Sequence, residues 1–156
     1  MNKAQWYKHL IGRIDYSIAN DYYFEAAFIA YGIIEDRLDS MLKQLGLANM
    51  QGVAKKIRAI AKIRSTKLES AFFLKKWDGG KYKDLGLLGE VKTWGELYRN
   101  PIQHLLGDPR VYNAQYGGFH IQNTKDLAEE GAKVARALSA AVMRYKNYND
   151  TKKSNN

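Results

Sequence analysis

The stretch Arg99-Asn100-Pro101-x-x-His104 brings together residue types that can act on a phosphate. The Arg99 guanidinium can hold a phosphate through two hydrogen bonds, and the His104 imidazole gains or loses a proton near neutral pH. Asn100 and Pro101 are typical of the cap and the first residue of a helix, where free backbone amides also attract anions. This combination suits acid-base chemistry on a phosphodiester.

The proline determines how the two reactive side chains can meet. Pro101 removes an amide donor and disfavours helical geometry at Asn100, so we expect one helix to end there and a new turn to begin. On an unbroken helix, Arg99 and His104 would point about 140° apart, whereas a break can turn both toward one place. The alternative is that Asn100-Pro101 is only a structural kink and that His104 is a hydrogen-bonded packing residue.

A cation beside an imidazole is what metal-independent cleavage of RNA requires. A base takes the proton from the 2′-hydroxyl, an acid protonates the leaving 5′-oxygen, and positive charge stabilises the phosphorane. His104 can supply one of these proton transfers at a time, and a second imidazole could come from a symmetry-related copy. The chain has no cysteine and no convincing set of metal ligands, so we predict neither a metal nor another cofactor.

Lys and Arg residues are most concentrated in the part of the chain that precedes the Arg99 to His104 stretch. Residues 51–100 carry 12 Lys and Arg against 5 Asp and Glu, out of a net charge of +9 for the chain. From Val53 to Lys67 there is no acidic residue, and apolar residues recur there at helical spacing, which predicts an amphipathic helix with a cationic outer face. Such a face can bind nucleic acid, lie on an anionic membrane surface, or only be solvated. The RNA-binding residues predicted here are Lys55, Lys56, Arg58, Lys62 and Arg64.

Apolar residues repeat every three or four positions along most of the chain, which predicts an all-α fold. Trp6, Leu10 and Ile14 mark a first helix. A second and longest one ends at Gly46 and has an apolar stripe. That stripe consists of Phe24, Ala27, Tyr31, Ile34, Leu38, Met41 and Leu45. The last long helix has buried positions predicted at Leu127, Gly131, Val134, Leu138, Ala141, Val142 and Tyr145.

The segment from Gly107 to Asn123 breaks the helical pattern. Its weak alternation around two glycines fits a short hairpin or an ordered aromatic loop. Tyr112 and Tyr116 lie in this segment, and aromatic rings beside positive charge can stack RNA bases. The alternative is that these rings pack a long loop onto the helices.

Length and composition indicate one domain. With 156 residues, 46% of them hydrophobic, the chain can build one core. We therefore predict a single domain over residues 1–146, made of about five helices with an irregular loop or short hairpin before the last, and a flexible tail over residues 147–156. No signal peptide or spanning segment is visible, so we expect a cytoplasmic protein with no membrane partner.

The Arg99-Asn100-x3-His104 stretch resembles the Arg-x(4–6)-His motif of the HEPN superfamily (higher eukaryotes and prokaryotes nucleotide-binding domains), in which Asn often follows Arg. The size of the chain and its helical pattern resemble that superfamily as well, and the resemblance extends from about Trp6 to Tyr145. The resemblance implies a HEPN-like helical bundle that acts as a metal-independent endoribonuclease in toxin-antitoxin, abortive-infection or other antiviral defence. It also implies a homodimer in which two motifs meet in one cleft, and an antitoxin or other regulatory partner.

Carried over to this chain, the resemblance makes Arg99 and His104 catalytic and Asn100 supporting. One toxin branch has a tyrosine two residues after the histidine, which a partner nucleotidyltransferase modifies. Leu106 occupies that position here, so we do not expect this form of regulation. Other members have lost activity, which leaves the alternative of a non-catalytic module that binds RNA or a nucleotide, or serves as a scaffold.

Glu35 is the other polar residue of interest. It lies among Phe28, Tyr31 and Leu38 on the apolar stripe of the longest helix. A carboxylate in such a place requires a cationic partner. Arg99 or His104 could serve, which would make Glu35 a supporting residue of the site. The alternative is a carboxylate at the edge of the stripe that reaches water.

Overall fold

The computed structural model describes residues 2–63, 65, 68, 72, 80–96 and 121–154. All regular secondary structure within these residues is helical, which confirms the predicted all-α fold with about five helices. The elements are α1 (Lys3–Ala19), α2 (Tyr23–Gln44), α3 (Val53–Lys62), a 3₁₀ helix (Gly80–Leu85), α4 (Leu87–Trp94) and α5 (Ile121–Ser154). Residues 107–120 of the predicted hairpin or aromatic loop lie outside the described residues. Its last three residues, 121–123, belong to α5, so the prediction that the segment is non-helical is wrong there.

Local hydrogen bonds fix both ends of α1. At its start, the amides of Asn2 and Gln5 each donate to the other residue's side chain at 2.9 Å, which forms a capping box. At its end, Asp21 has a φ of 62° and the Tyr22 amide donates to the Ser17 carbonyl at 2.8 Å. This Schellman motif satisfies carbonyls of the last turn and directs the chain into α2.

The end of α2 has the same motif, built on glycine. The Leu47 amide donates to the Leu42 carbonyl at 3.0 Å, and Gly46 has a φ of 68°. Glycine adopts this left-handed conformation without a steric penalty, so it can end a helix in this way. The predicted stop at Gly46 is confirmed.

Contacts divide the chain into two compact units. Unit 1 comprises residues 1–32 and 93–135, and unit 2 comprises residues 33–92 and 136–156, so that α2 and α5 contribute to both. Among the described residues of unit 1, the buried apolar ones are mostly small: Ile14, Ala26, Ala27, Ala30, Trp94, Leu127, Ala128, Ala132, Val134 and Ala135. Those of unit 2 are larger, among them Ile33, Ile34, Leu38, Met41, Leu42, Ile57, Ile60, Phe72, Leu88 and Leu138. The single domain over residues 1–146 stays a prediction.

Trp94 is the largest buried side chain described in unit 1. Its Nε1 donates to the carbonyl of Leu127 on α5 at 3.0 Å. A Cβ atom on Gly131, one turn further along, would lie 2.7 Å from the indole ring. Gly131 thus lets the α5 backbone approach the tryptophan more closely than any other residue would allow.

Some residues of the predicted apolar stripes are exposed. Ala27, Ile34, Leu38 and Met41 on α2 are buried as predicted, as are all seven residues predicted for the last helix. Phe24 is 41% exposed and Trp6 is 48% exposed, so these two members of the apolar patterns do not face the core. Within unit 1, α1 and the first turns of α2 therefore present aromatic rings to solvent.

The last helix continues past the predicted end of the folded region. The sequence predicts an unfolded tail over residues 147–156, but α5 continues to Ser154. Between Gly131 and Ser154 there is no glycine or proline, so no residue interrupts the helix. No helix in the described part of the chain is both long and apolar enough to cross a membrane.

Candidate functional site

The predicted catalytic stretch lies outside the residues that the structure describes. This applies to Arg99, Asn100 and His104, and also to Arg64, Tyr112 and Tyr116 of the predicted RNA-binding set. Their roles stay predictions. The described residues that bear on function are on α1, α2 and α3.

The exposed cations of α3 lie on one side of the helix. Lys55, Arg58 and Lys62 are exposed, and their spacing of three and four residues places them within about 60° of arc. The opposite side buries Ile57 and Ile60. We call Lys55, Arg58 and Lys62 the α3 cationic face; they form the predicted amphipathic pattern and present three positive charges to solvent.

Lys56 does not belong to this face. The sequence predicts it as an RNA-binding residue, but its side chain is only 3% exposed. Its Nζ lies 2.7 Å from Asp39 Oδ1 and 3.3 Å from Glu35 Oε1, both on α2. Lys56 follows Lys55 by 100° of rotation, which moves it from the outer side to the edge of the buried side. A buried lysine with two carboxylates is an internal ion-pair partner, so its assignment to the RNA-binding surface is corrected.

The two carboxylates determine the protonation of Lys56. Burial by itself lowers the pKa of Lys56, but the hydrogen bonds and charges of Asp39 and Glu35 outweigh burial and raise it above its ordinary value. The ammonium group therefore stays charged at neutral pH. The cluster formed by Lys56, Glu35 and Asp39 thus places two carboxyl groups against one ammonium group.

Glu35 fits both interpretations of its position in the sequence, a carboxylate with a cationic partner and a carboxylate that reaches water. It pairs with a cation, as a carboxylate on an apolar stripe should, but within the described residues this cation is Lys56. Its side chain is also 38% exposed, so it reaches water. The predicted partners Arg99 and His104 lie outside the described residues, and a supporting role toward them stays a prediction.

The outer side of α1 carries a second group of polar and aromatic side chains, which the sequence analysis did not assign. An open depression of about 510 Å³ lies along it. We call it the α1 depression. Its lining residues in the described part of the chain are Gln5, Lys8, His9, Gly12, Arg13 and Tyr16.

Ion pairing and ring contacts hold the α1 side chains. Arg13 Nε donates to Glu25 Oε1 on α2 at 2.7 Å, and the Arg13 guanidinium lies 5.2 Å from the centre of the Tyr16 ring. The hydrogen bond with Glu25 raises the pKa of Arg13, and the same bond lowers the pKa of Glu25. The rings of Trp6 and His9 stack with centroids 5.6 Å apart and planes inclined by 20°.

One signal in the sequence could have identified this surface. In KAQWYKHLIGRIDY, aromatic and cationic residues alternate with Gly12 in the middle. Trp6 shares its helical spacing with Leu10 and Ile14. Spacing does not tell whether a large amphipathic ring lies inside or at the surface, and here it is at the surface.

No family model, no curated protein and no solved structure matches this chain. The candidate functional features are the α3 cationic face, the α1 depression and the Arg99 to His104 stretch.

Proposed function

We propose that this chain binds RNA and cleaves it as a metal-independent endoribonuclease of the HEPN type. The single observation that carries the proposal is the Arg99-Asn100-x3-His104 stretch in a chain whose described secondary structure is all helical. The net charge of +9 and the α3 cationic face support an anionic polymer as the substrate. Defence systems are the setting that the resemblance implies.

In the proposed reaction, the 2′-oxygen attacks the adjacent phosphorus. The O2′–P bond forms, the P–O5′ bond breaks, and the products are a 2′,3′-cyclic phosphate and a 5′-hydroxyl. His104 takes the proton from the 2′-hydroxyl or donates one to the 5′-oxygen, and a second His104, from another copy, performs the other transfer. Arg99 stabilises the charge on the phosphorane. Asn100 supports the geometry as a helix cap, and Glu35 could orient Arg99 or His104.

The α3 cationic face gives this reaction a surface for substrate binding. Lys55, Arg58 and Lys62 can each neutralise a phosphate and release the counterion that it holds. Such contacts hold any RNA sequence about equally well, because they do not read the bases. Binding by this face would therefore position the strand, while selection among RNAs would come from other contacts.

The proposal is tested by RNA cleavage in EDTA. Wild type and His104→Ala are incubated with a labelled single-stranded oligonucleotide, and the ends of the products are analysed. We expect wild type to leave 2′,3′-cyclic phosphate ends and His104→Ala to lose roughly 10²–10⁴-fold in rate, because general acid-base catalysis contributes about that much. The helical circular dichroism of the variant should be unchanged.

Two controls separate catalysis from charge and from contamination. Arg99→Ala should lose activity, whereas Arg144→Ala, which removes the same charge from an exposed position on α5, should retain it. A substrate with a single 2′-deoxy nucleotide at the scissile position should resist cleavage. Cleavage of that substrate, or equal activity of His104→Ala and wild type, would contradict the proposed mechanism.

The α3 cationic face also favours a second candidate function, a non-catalytic RNA-binding or scaffolding module, because this face requires no active site. Under that function, wild type and His104→Ala bind RNA equally well and neither cleaves it. Loss of binding then follows loss of charge, whichever cation is removed. The cleavage experiment distinguishes the two functions directly.

A further inference from the structure

The α1 depression has a glycine at its centre. Gln5, His9, Gly12 and Tyr16 follow one another at intervals of four, three and four residues, so they form one row along the helix. Gly12 lies between the rings of His9 and Tyr16. A Cβ atom built on Gly12 would meet no atom of the described residues within 4 Å, so the space above the glycine is open with respect to them.

Aromatic rings border this open space at both ends. His9 is exposed and is backed by the exposed ring of Trp6, with which it stacks. Tyr16 is 51% exposed and is backed by the Arg13 guanidinium. Exposed rings that their neighbours hold in place offer flat surfaces at a small entropic cost, and a planar aromatic ligand can stack on such surfaces.

The charges at the depression are those that a phosphate requires. Lys8 lies on one flank and Arg13 on the other. Arg13 binds Glu25 through Nε, so within the described part of the chain its two Nη groups remain as donors for an anion. A planar ring with an attached phosphate therefore matches the depression in both shape and charge.

We propose that the α1 depression binds a base of single-stranded RNA between His9 and Tyr16, with the adjoining phosphates on Lys8 and Arg13. The proposal rests on the proposed function for the class of ligand, and it uses none of the residues of the catalytic stretch or of the α3 cationic face. The volume of about 510 Å³ lies within the range of roughly 300–1,000 Å³ that is usual for ligand sites. Stacking tolerates every base, so the site would retain a strand without selecting its sequence.

The glycine permits a test that does not weaken the fold. Gly12→Leu would fill the depression, and leucine is a better helix former than glycine. Gly32→Leu is the matched control, because Gly32 is also helical and exposed and would meet nothing within 4 Å. Binding is measured by fluorescence anisotropy with a labelled single-stranded RNA that is 2′-O-methylated throughout, so that cleavage cannot occur.

We expect Gly12→Leu to lower the affinity roughly fivefold or more, which is the smallest usual effect of losing one stacked base. Gly32→Leu should bind like wild type. A second strand with the same number of phosphates but without bases separates stacking from charge. It should bind wild type and Gly12→Leu equally well, since neither protein can stack a base that is missing.

The outcomes distinguish the base site from the proposed nuclease. Equal affinity of Gly12→Leu and wild type for the methylated strand, or an equal loss on the abasic strand, would overturn the base site and leave the proposed nuclease intact. A Gly12→Leu defect confined to strands with bases supports the site, even where wild type fails to cleave RNA and the nuclease is wrong. Absence of any RNA binding by wild type would overturn both.

Discussion

Two neighbouring lysines of α3 show how much a single residue's environment matters. Lys55 is exposed, whereas Lys56 is buried between two carboxylates of α2. The two residues have the same chemistry and adjacent positions, and they differ by 100° of rotation about the helix axis. Lys55 is consequently available to an anionic partner, and Lys56 contributes to the fold of unit 2.

We predict that Lys56→Met destabilises the protein by about 1–3 kcal/mol at pH 7, because it leaves Glu35 and Asp39 facing each other without a cation. Both carboxylates are about one-third exposed, which keeps the loss below that of a fully buried pair. Lys55→Met is the matched control and should change stability by less than about 0.5 kcal/mol. Urea unfolding measures both, and equal midpoints for the two variants would show that the ion pairs add no stability.

The same pair of proteins has an expected pH dependence. Because the pKa of folded Lys56 is raised above its ordinary value of 10.5, its charged form adds stability that is fully present below pH 10.5. This stability is lost as the pH rises through the folded pKa. The difference between wild type and Lys56→Met should thus be constant from pH 7 to about pH 10 and shrink above that. A difference that shrinks already between pH 7 and pH 9 would contradict this assignment.

The surroundings of α2 differ between its two ends. Phe28 and Leu42 lie on the same side of the helix, since 14 residues correspond to nearly four full turns. Phe28 is 63% exposed and Leu42 is buried. One apolar stripe is therefore a core face within unit 2 and an exposed aromatic face within unit 1. Glu35 and its ion pair lie near the middle of this stripe.

For α3, we predict that its cationic face determines part of the salt dependence of RNA binding. Replacing Lys55, Arg58 and Lys62 together by glutamine should reduce the slope of log K against log salt by about 2, because each contact to a single strand contributes about 0.7. The measurement is a salt titration with the 2′-O-methylated strand. The equivalent replacement of the exposed residues Lys43, Arg144 and Lys146 is the control and should leave the slope unchanged. Equal slopes for both triple variants would mean that only net charge matters.

At the scale of the whole molecule, charge and apolar surface are unevenly distributed. The middle third of the sequence supplies most of the net positive charge. Among the described residues, five large exposed hydrophobic side chains belong to unit 1: Trp6, Tyr16, Tyr22, Phe24 and Phe28. Within the part of unit 1 that the structure describes, the buried side chains are smaller than those described in unit 2.

The proposed reaction requires two imidazoles, so we predict that the active form is a dimer. Sedimentation at micromolar concentration should give twice the chain mass of 17.8 kDa. Specific cleavage activity should fall on dilution at the same concentration at which the mass falls to that of one chain. His104→Ala should dimerise like wild type while remaining inactive. Full specific activity in a solution of monomers would contradict the composite site.

The sequence by itself determined the helices. Apolar periodicity, the glycine stop at Gly46 and the absence of breakers in the last segment act within a few residues, so they can be recognised without the fold. The first two led to correct predictions. The third contradicts the predicted flexible tail over residues 147–156, since α5 continues to Ser154. The all-α class follows from the same local patterns.

Only the tertiary structure decided which side of each helix is covered. Periodicity shows that residues share a side, but burial depends on what another segment places against that side. This is why Trp6 and Phe24 are exposed although they share helical spacing with buried residues, and why Lys56, predicted on the surface, is buried. For the same reason, the α3 cationic face was predictable from its own charges, whereas the α1 depression became visible only once its aromatic rings were found at the surface.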